Sequence, residues 1–385
     1  MRVAFDGRKL YDFGIGTYIQ GLLREFVALG IPEELVVYRP PDAEVPPVLE
    51  TAACIEWRLE GAPAYSLAEL WRLALRARRD RAQLFHAPHY VCPPVLACPA
   101  VVTIHDLIHL RFPDWRGRPG APLYARVMLR LAVWRAARVI TVSESTRRDL
   151  ERRLGARPER IRVIPNGVTP HFGPAADPAA LQAELGKLGL APPYLLFVGN
   201  PMPHKNLGRL LDAFAGLPPA LGPLVVAGVR PAAQPALERA LEARGLRGRV
   251  RVLAPLPEAV MPRISQGASL LVIPSLWEGF GLPALEAMAC GTPVVASDRG
   301  ALPEVVGDAG VLVDPTNVDA LREAMYNLAV HTPLRAALRA AGLARARAFS
   351  WRHAAGATVA VYREVLAAGP GSQGDGCGSR WSMTG

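Results

Sequence analysis

The amino-acid sequence predicts an α/β fold made of two doubly wound domains that face each other across a cleft. Short runs rich in Val, Ile and Leu alternate with longer amphipathic runs, which is typical of parallel sheets covered by helices. The chain has 385 residues, half of them apolar, and this length suffices for more than one core. From Thr169 a stretch rich in Pro, Ala and Gly interrupts the alternation, so we predict a linker there.

The strands are predicted from the short β-branched runs. In the first half of the chain these runs are "RVAFD", "ELVVYR", "LFHAP", "AVVTIHD", "RVITVS" and "RIRVIPNGV". In the second half they are "YLLFVGN", "LVVAG", "RVRVLA", "SLLVIPS" and "PVVAS". Open α/β sheets bind ligands outside the carboxyl ends of their strands, so we look for functional residues in the segments that follow these runs.

The same pattern gives the domain boundaries. We predict a first doubly wound domain at residues 1–170, a linker at 171–190 and a second doubly wound domain at 191–348. The run "SWRHAAGATVAVYREVL" predicts a helix within 349–368. Residues 369–385 lack any periodicity, which predicts a disordered tail.

The chain carries a formal net charge of +10, and its only lysines are Lys9, Lys187 and Lys205. A composition rich in Ala, Arg, Pro and Gly accounts for much of this charge. No zinc-finger spacing, RNP-like aromatic run or basic segment followed by heptads is present, so we do not expect nucleic-acid binding. The charge suits anionic partners such as nucleotide diphosphates or an anionic membrane surface.

The cysteines and the N-terminus bear on the compartment. Five cysteines are scattered without a CxxC pair, which indicates a reducing, cytoplasmic environment. The start "MRVAFDGRKL" predicts a strand rather than a signal peptide, because no apolar stretch follows a basic start. No apolar run is long enough to cross a bilayer, so we expect a protein that is cytoplasmic or bound peripherally to the membrane.

Two motifs follow predicted strands of the first half. In "DFGIGTYIQGLL", Gly14 and Gly16 open a helix without the full G-x-G-x-x-G spacing, so a tight turn and a ligand-binding loop are equally good interpretations. In "VTIHDLIHL", His105 stands at the end of a strong strand, where it is either a buried histidine satisfied by neighbours or a group that contacts a sugar hydroxyl. Position favours His105 over His109.

A lysine marks the start of a helix in "LLFVGNPMPHKNLGRLLDAF". The strand ends at Gly199, and Lys205 lies beside the positive end of the helix that begins near Asn206. A cation is unfavourable there unless an anion also binds, so we interpret Lys205 as a phosphate-binding residue rather than a solvated one. Arg209, one turn further on, more often belongs to a solvated face.

The stretch "SLWEGFGLPALEAMACGTPVVAS" combines two glutamates with a Gly-Phe-Gly turn. Pro283 suits a first helical position, so Glu286 is predicted in the first turn of a helix and Glu278 in the loop before it. Acidic residues are common at a helix N-terminus, which accounts for Glu286. That explanation leaves the two glycines and Glu278 without a reason.

Taken together, these stretches resemble family 4 of the retaining glycosyltransferases, the mannosyltransferase-like group 1 enzymes with the GT-B fold. The stretch "EGFGLPALEAMACGTPVVAS" resembles the family motif of two glutamates separated by seven residues, and further resemblance lies in "GNPMPHKNL", "TIHDL", "IPNGV", "ALPEVVGDAGVLVDP" and "GIGTYIQGLL". The resemblance extends from residue 1 to about residue 367. It implies two Rossmann-like domains, of which the first, at 1–170, binds the acceptor and the second, at 191–348, binds the nucleotide sugar. It also implies a C-terminal helix that returns to the N-terminal domain, and hexosyl transfer from a nucleotide-diphosphate sugar of the mannose or glucose type.

The resemblance also implies roles for residues of the second half. Glu286 would accept hydrogen bonds from the ribose hydroxyls, Glu278 would contact the hydroxyls of the donor sugar, and Lys205 would neutralise the diphosphate. Gly199 and His204 would belong to the same donor site. The backbone amides that would face the sugar and the diphosphate are those of Phe280, Gly281 and Leu282.

In the first half, Gly16 would let its loop close over the phosphates, and His105 would contact the donor sugar near the reaction centre. The chain departs from the family near Lys205, because many relatives carry an arginine where this chain has Asn200 or His204. His204, if protonated, would supply part of the missing charge.

The resemblance implies a reaction without a metal or another cofactor. No Asp-x-Asp occurs in the chain, which argues against a divalent metal held by such a pair. The diphosphate would instead be stabilised by Lys205, a helix N-terminus and loop amides. In such retaining enzymes the acceptor attacks from the front face and the departing phosphate takes its proton, so we expect Glu278 to bind and position the sugar rather than act as a nucleophile.

The acceptor is left open, as a glycan, a lipid-linked sugar or a small molecule. The stretch "LAELWRLALRARRDRAQL" predicts a helix with Leu67, Leu70, Trp71 and Ala74 on one face and Arg72, Arg76 and Arg79 on another. It is either an ordinary covering helix or a peripheral membrane contact. A nucleotide-sugar 2-epimerase of the same fold and a non-catalytic sugar-nucleotide-binding protein are the alternative functions.

Overall fold

The structure is a computed structural model, and it describes residues 1–31, 33–63, 66–112 and 120–368. The strands in these residues form two entirely parallel sheets, one of seven strands and one of six. Helices cover both faces of the sheets, which confirms the predicted α/β fold with two doubly wound units. The predicted disordered tail at 369–385 lies outside the described residues.

The first sheet occupies the N-terminal part of the chain. Its strands are β1 Arg2–Asp6, β2 Glu34–Arg39, β3 Ile55–Leu59, β4 Leu84–Ala87, β5 Ala100–Ile104, β6 Arg138–Thr141 and β7 Ile161–Val163. Their order is β3-β2-β1-β4-β5-β6-β7, which is the doubly wound order with one further strand at the edge. The sequence interpretation missed β3. Its residues "IEWRL" alternate between apolar and polar, because this edge strand is only partly buried.

The helices of this unit lie in two layers. They are α1 Phe13–Leu29, α2 Pro47–Glu50, α3 Leu67–Arg79, α4 Ile108–Arg111, α5 Ala121–Arg135 and α6 Glu144–Leu154. Alternate residues of each strand face opposite sides, so Val3 and Phe5 join the core under α1 while Ala4 joins the core under α3 and α5. The predicted apolar face of α3 divides in the structure, because Leu70 is buried whereas Trp71 is 61% exposed.

The second sheet repeats the same order. Its strands are β8 Leu195–Val198, β9 Leu224–Ala227, β10 Val250–Leu253, β11 Leu270–Ile273, β12 Val294–Ser297 and β13 Val311–Val313. Their order is β10-β9-β8-β11-β12-β13, so β8 and β11 lie side by side at the centre of the sheet. The sequence interpretation missed β13, a three-residue edge strand too short to give a period.

The helices of the second unit surround this sheet. They are α7 Pro178–Lys187, α8 Leu207–Ala215, α9 Gln234–Glu242, α10 Met261–Gly267, α11 Leu282–Ala289, α12 Leu302–Val306, α13 Val318–Val330 and α14 Thr332–Ala346. Helix α7 falls in the stretch predicted as a linker. It is not a free connection, because the buried Leu185 packs against α10 and Arg263 forms an ion pair with Glu184 at 2.6 Å.

The last described helix, α15 Trp351–Ala367, packs against α1 in the first unit, as the C-terminal helix was expected to do. Gly21 of α1 makes room for the indole of Trp351, because a Cβ at Gly21 would lie 2.4 Å from that ring. Glu364 forms an ion pair with Arg138 at 2.8 Å. In the residues that the structure describes, none of the helices is both long and apolar enough to cross a membrane.

A buried chain of hydrogen bonds joins α15 to the first sheet. The Tyr362 hydroxyl lies 2.5 Å from Nδ1 of His86, whose Nε2 lies 2.8 Å from the Thr103 hydroxyl. That hydroxyl bonds the Tyr18 hydroxyl at 2.9 Å. Burial lowers the pKa of His86 to about 3, so the imidazole is neutral and its two nitrogens are satisfied by the neighbouring hydroxyls.

We expect Tyr362→Phe to lower the free energy of unfolding by about 1–3 kcal/mol, because it leaves a buried nitrogen of His86 without a partner. Urea unfolding followed by tryptophan fluorescence measures the change. Tyr326→Phe is the matched control, since Tyr326 is 42% exposed. Equal stability of the two variants would show that these buried hydrogen bonds do not hold α15 in place.

Candidate active site where the two sheets meet

Lys205 and Glu278 come from loops that follow neighbouring central strands. Lys205 lies in a short 3-10 turn, Pro203–Lys205, after β8, and Glu278 lies in the loop between β11 and α11. From β8 the chain adds strands towards one edge of the sheet, and from β11 it adds strands towards the other edge. An open α/β sheet forms its ligand crevice at such a switch point. The topology therefore brings together two residues that are 73 positions apart in the chain.

The side chains of Lys205 and Glu278 form an ion pair. Nζ of Lys205 donates to Oε1 of Glu278 at 2.7 Å, and the Ser275 hydroxyl donates to the same oxygen at 2.6 Å. In the described part of the chain, no hydrogen bond to Oε2 is recorded. The burial of Glu278 opposes ionisation, but the Lys205 ammonium and the two hydrogen bonds hold the pKa of this carboxyl below its usual range.

The two loops are fastened to each other by backbone and side-chain hydrogen bonds. The amide of Leu276 donates to the carbonyl of His204 at 2.7 Å. Asn206, in a left-handed conformation with φ of 57°, donates through Nδ2 to the carbonyl of Pro274 at 2.9 Å. Gly199 has φ of 141°, and a Cβ there would lie 3.7 Å from the Lys205 Cε. The loops that carry Lys205 and Glu278 are therefore held side by side.

The Gly-Phe-Gly turn leads into α11. Gly281 has φ of 100°, and a Cβ there would lie 2.7 Å from Leu302. Phe280 is buried and its ring packs edge-on against Phe349, so only its backbone faces the site. Among the described residues, no side chain caps α11, which begins at Leu282. This helix N-terminus is thus available to an anion.

Glu286 lies in the second turn of α11, not in the first as predicted. The helix begins one residue earlier than Pro283, which makes Glu286 its fifth residue. The side chain is half-buried, and within the described residues it makes no hydrogen bond or ion pair. Burial, together with the nearby charge of Glu258, raises the pKa of Glu286 to about 8. A carboxyl in this state has unused acceptor capacity.

His105 belongs to the first unit but adjoins the Gly-Phe-Gly turn. A Cβ at Gly279 would lie 2.3 Å from the His105 carbonyl oxygen, so the two backbones can approach only because this residue is glycine. A second contact lies nearby, since a Cβ at Gly14 would be 3.7 Å from Leu282. The loops at the carboxyl ends of the two sheets therefore touch at this point.

The imidazole of His105 can accept a hydrogen bond but not donate one. Its Nε2 lies 2.9 Å from the carbonyl oxygen of Pro88, which can only accept, so Nε2 carries the proton. Burial lowers the pKa of His105 to about 4, which keeps the ring neutral and leaves Nδ1 with a lone pair. The Tyr18 ring packs edge-on at 4.8 Å and fixes the orientation. A contact of this imidazole with a sugar hydroxyl would therefore have the hydroxyl as the donor.

The structure gives the environment of two further predicted residues. Gly16 lies within α1, where a Cβ would be 2.6 Å from the carbonyl oxygen of Leu10, so a tight turn explains this glycine. His204 is buried, and burial lowers its pKa to about 4. The expected partial charge from His204 is therefore absent at neutral pH.

Arg230 is a candidate that the sequence interpretation missed. It follows β9, and its backbone N–H donates to Oδ1 of Asn200 at 3.1 Å. Its guanidinium lies 4.4 Å from the ring centroid of Phe13, across the seam between the two units. Phe13 has φ of 35°, which is unusual outside glycine and frequent near functional sites. A cation at the end of the run "LVVAGVR" was the available signal.

Two contacts hold the units together around this seam. Glu304 accepts hydrogen bonds from the backbone amides of Glu144 and Ser145, at 2.7 and 2.6 Å. Its carboxylate therefore lies at the positive end of α6, where a negative charge is stabilised. On the other side, the guanidinium of Arg111 lies 3.3 Å from the ring centroid of Trp277, next to Glu278.

Neither Lys205 nor Glu278 lines either of two cavities in the described part of the structure. One, of about 360 Å³, is lined by residues that include Arg24, His171 and Glu258. The other, of about 340 Å³, lies in the first unit. Across the described ranges, the structure contains no group of three or more His, Cys, Asp and Glu side chains arranged to hold a metal ion.

Comparison with known proteins gives the family. The profile of "Glycosyl transferases group 1" matches residues 184–345, and that of "Glycosyltransferase Family 4" matches residues 14–172. The O-antigen chain mannosyltransferase B of Escherichia coli is 33% identical over 304 residues, which covers 78% of this chain and 79% of that protein. The chain belongs to glycosyltransferase family 4. The present chain is also 35% identical to the D-inositol 3-phosphate glycosyltransferase of Mycolicibacterium paratuberculosis. That alignment covers 70% of the present chain and 62% of the relative.

Solved structures give the fold of the glycosyltransferase. Sucrose-phosphate synthase from Thermosynechococcus elongatus superposes with a TM-score of 0.79 at 22% identity, over 96% of this chain and all of that one. HepE from Anabaena, in complex with UDP and glucose, gives 0.76 at 22% identity, over 94% and 100%. WaaG, a glycosyltransferase of lipopolysaccharide biosynthesis, gives 0.75 at 20% identity, over 93% and 99%. The two-sheet arrangement is the GT-B fold.

The stability of the glycosyltransferase should depend on pH through Glu286. Its pKa is raised from 4.5 to about 8 in the folded state, so the folded chain keeps a proton that the unfolded chain releases. This stabilisation is complete below pH 4.5 and is lost as the pH rises towards 8. Compared with the wild type, Glu286→Gln should therefore gain relative stability between about pH 5 and pH 8.

Urea unfolding at a series of pH values measures this difference. Glu323→Gln is the control, because Glu323 is an exposed carboxylate on α13. A difference between wild type and Glu286→Gln that stays constant with pH would contradict the raised pKa.

Proposed function

We propose that this glycosyltransferase transfers a hexose of the mannose or glucose type from a nucleotide-diphosphate sugar to a hydroxyl group, with retention of configuration at the anomeric carbon. The acceptor is a glycan, a lipid-linked sugar or a small molecule in polysaccharide biosynthesis. The observation that carries the proposal is the combination, at one switch point, of an ammonium, two carboxyls and an uncapped helix. UDP and UDP-glucose in HepE, and the name of the Escherichia coli relative, support this class of donor.

The two carboxyls suit the two hydroxyl-rich ends of such a donor. Glu286 has no hydrogen bond within the described residues, and ribose hydroxyls donate readily to a carboxylate. Because the pKa of Glu286 is about 8 in the structure, binding of these donors favours loss of its proton. Glu278 is already ionised, and its Oε2 is available to a hydroxyl of the sugar. Glu286 thus binds the ribose of the donor, and Glu278 binds its sugar.

The diphosphate between these ends suits the cations and the helix N-terminus. Lys205 provides an ammonium at a position fixed by Gly199 and by the Glu278 carboxylate. Arg230 provides a second positive charge on the loop beside Asn200, and it takes the place of the arginine that the chain lacks there. The amides of Gly281 and Leu282 at the start of α11 add the positive end of a helix.

The transfer requires no covalent intermediate on the enzyme. The bond between the anomeric carbon and the phosphate oxygen breaks, the acceptor oxygen attacks from the same face, and the departing phosphate takes the proton of the acceptor hydroxyl. Lys205 and the helix amides stabilise the charge that develops on the phosphate. His105 is neutral, and its Nδ1 accepts a hydrogen bond from the sugar, while Glu278 positions the sugar through Oε2 and does not act as a nucleophile.

Nucleotide-sugar turnover by site variants tests this function. We expect Lys205→Ala to lower kcat/KM by the equivalent of roughly 2–4 kcal/mol of transition-state stabilisation, the range for loss of a charge-stabilising donor. Glu286→Ala should raise the donor KM strongly. The donor is first selected by thermal shift against UDP- and GDP-linked glucose and mannose. The matched control is Lys187→Ala, an exposed lysine on α7.

Several outcomes distinguish this function from the alternatives. Wild-type kinetics in folded Lys205→Ala would refute the assignment of the site. Epimerised nucleotide sugar formed without an acceptor would indicate a 2-epimerase. Binding of a nucleotide sugar without turnover on any acceptor would indicate a binding protein that has kept the fold.

We further propose that the enzyme acts in the cytoplasm at an anionic membrane surface. Helices α3 and α5 cover the same side of the first sheet, and both expose apolar and basic residues together. This basic aromatic face consists of Trp71, Leu75, Arg78 and Arg79 on α3 and Leu123, Arg126, Val127, Arg130 and Trp134 on α5. Trp71 is 61% exposed and Trp134 is 71% exposed. Such a face suits the headgroup region, where tryptophan inserts and arginine binds anionic lipid.

Sedimentation with liposomes tests the membrane proposal. We expect the enzyme to bind vesicles that contain phosphatidylserine more strongly than vesicles of phosphatidylcholine alone, with the bound fraction falling as salt rises, because each arginine contributes about 1 kcal/mol at an anionic surface. Trp71→Ser combined with Trp134→Ser should reduce binding severalfold. Tyr326→Ser, an exposed aromatic of α13, is the control. Binding that is independent of lipid charge would remove this proposal.

A further inference from the structure

A cavity of about 340 Å³ lies at the carboxyl edge of the first sheet. Its volume is in the range of small-molecule sites, ~300–1,000 Å³. Asp6 ends β1 and Arg8 follows it on one side of the cavity, and Pro88 and His89 follow β4 on the other. Strands β1 and β4 form the switch point of this sheet, where an open α/β sheet forms its crevice. The cavity is therefore where the first sheet would bind a ligand.

The cavity adjoins the reaction centre. Pro88, which lines it, accepts the hydrogen bond from His105 that fixes the imidazole. A ligand in the cavity thus has one end near His105 and, through the contact of His105 with Gly279, near the donor loop. A cavity in this position suits the acceptor of the transfer.

Carboxylates outnumber cations in the lining. The acidic residues are Asp6, Asp12, Asp42, Glu60 and Glu69, and the basic residues are Arg8 and Lys9. Both cations are held by carboxylates of the cavity itself. Arg8 forms ion pairs with Asp6 at 2.8 Å and with Glu69 at 2.9 Å. Lys9 forms an ion pair with Asp12 at 2.8 Å. Neither cation can turn to a ligand phosphate without leaving a carboxylate.

The acidic lining is built into the fold. Glu60 is buried, forms ion pairs with Arg72 at 3.0 Å and with Arg76 at 3.3 Å, and accepts the Ala62 amide at 2.8 Å. The neighbouring loops are tied together, because the Tyr11 hydroxyl donates to the carbonyl of Glu44 at 2.7 Å. Coulomb attraction of Asp6 and Glu69 outweighs burial and raises the pKa of Arg8, so this network stays charged. A ligand meets a preformed wall of hydrogen-bond acceptors.

We propose that this cavity binds the acceptor by an unphosphorylated, hydroxyl-rich saccharide end and discriminates against phosphorylated sugars. The inference rests on the proposed glycosyl transfer for the role of the ligand as acceptor. Sugar hydroxyls donate to carboxylates and carbonyls, whereas a phosphate monoester presents only acceptors and about two negative charges. An acidic wall attracts the first group and repels the second. Any phosphate of a longer acceptor lies outside the cavity.

Saturation-transfer NMR without donor tests the proposal on the full chain. The probes are methyl α-mannoside and methyl α-glucoside, each paired with its 6-phosphate. We expect both neutral glycosides to bind and both phosphates to bind at least tenfold more weakly. In Asp12→Asn combined with Asp42→Asn, which removes two negative charges and with them the Lys9–Asp12 ion pair, that preference should shrink at least tenfold. Asp212→Asn, which breaks an exposed Asp–Arg pair in the second unit, is the matched control.

The outcomes separate this inference from the function on which it rests. Tighter binding of the phosphates, an unchanged preference in the double variant, or no binding of any probe overturns the acceptor assignment. Thermal shift with nucleotide sugars is measured on the same samples and reports the donor site alone. Donor binding with a failed probe experiment would leave the glycosyl transfer intact, whereas bound neutral glycosides without donor binding would refute the transfer and leave a saccharide site.

Discussion

The close approach of Gly279 to the His105 backbone governs the geometry of the whole site. It joins the loop that carries Glu278 to the strand end that carries His105, and no side chain can be added there without moving one loop. Other contacts at the seam depend on the same separation. Glu304 can reach the amides of α6, and Trp277 can lie beneath Arg111, only when the two units are this close. The helix α15 follows the second unit in the chain and packs against α1 of the first.

Acidic and basic side chains occur together near both sheets of the enzyme. Near the second sheet, the Lys205 ammonium pairs with the Glu278 carboxylate in adjoining loops, and the Glu286 carboxyl lies in the second turn of the helix that follows. In the cavity at the first sheet, Arg8 pairs with Asp6 and Glu69, and Lys9 pairs with Asp12. The net charge of +10 is therefore no guide to either site. Exposed arginines account for the positive surface, including those of the basic aromatic face.

Sequence patterns predicted the fold better than they predicted the environment of single residues. The central strands of both sheets were identified because buried parallel strands give continuous apolar runs. The edge strands β3 and β13 were missed, since one is half polar and the other has three residues. The stretch predicted as a linker contains α7, which packs on α10 by a single buried leucine that composition does not reveal.

In the candidate site, too, the sequence indicated the residues but not their contacts. Lys205, Glu278 and Glu286 could be selected from the sequence, because their residue types are unusual at a strand end or a helix start. Their pairing could not, since it depends on which strands are neighbours in the sheet. Arg230 was missed because it lies on a third loop, and only the tertiary structure brings that loop to Asn200.

The sequence by itself determined the α/β class, the division into two similar units and the residues that carry charge at strand ends. These features are local, because strand runs, glycine turns and helix starts are set by neighbours along the chain. The tertiary structure decided which groups are charged. Burial makes His105 and His204 neutral, raises the pKa of Glu286 to about 8 and commits Lys205 to Glu278. Burial and pairing arise from residues far apart in the chain, so only the folded arrangement could decide them.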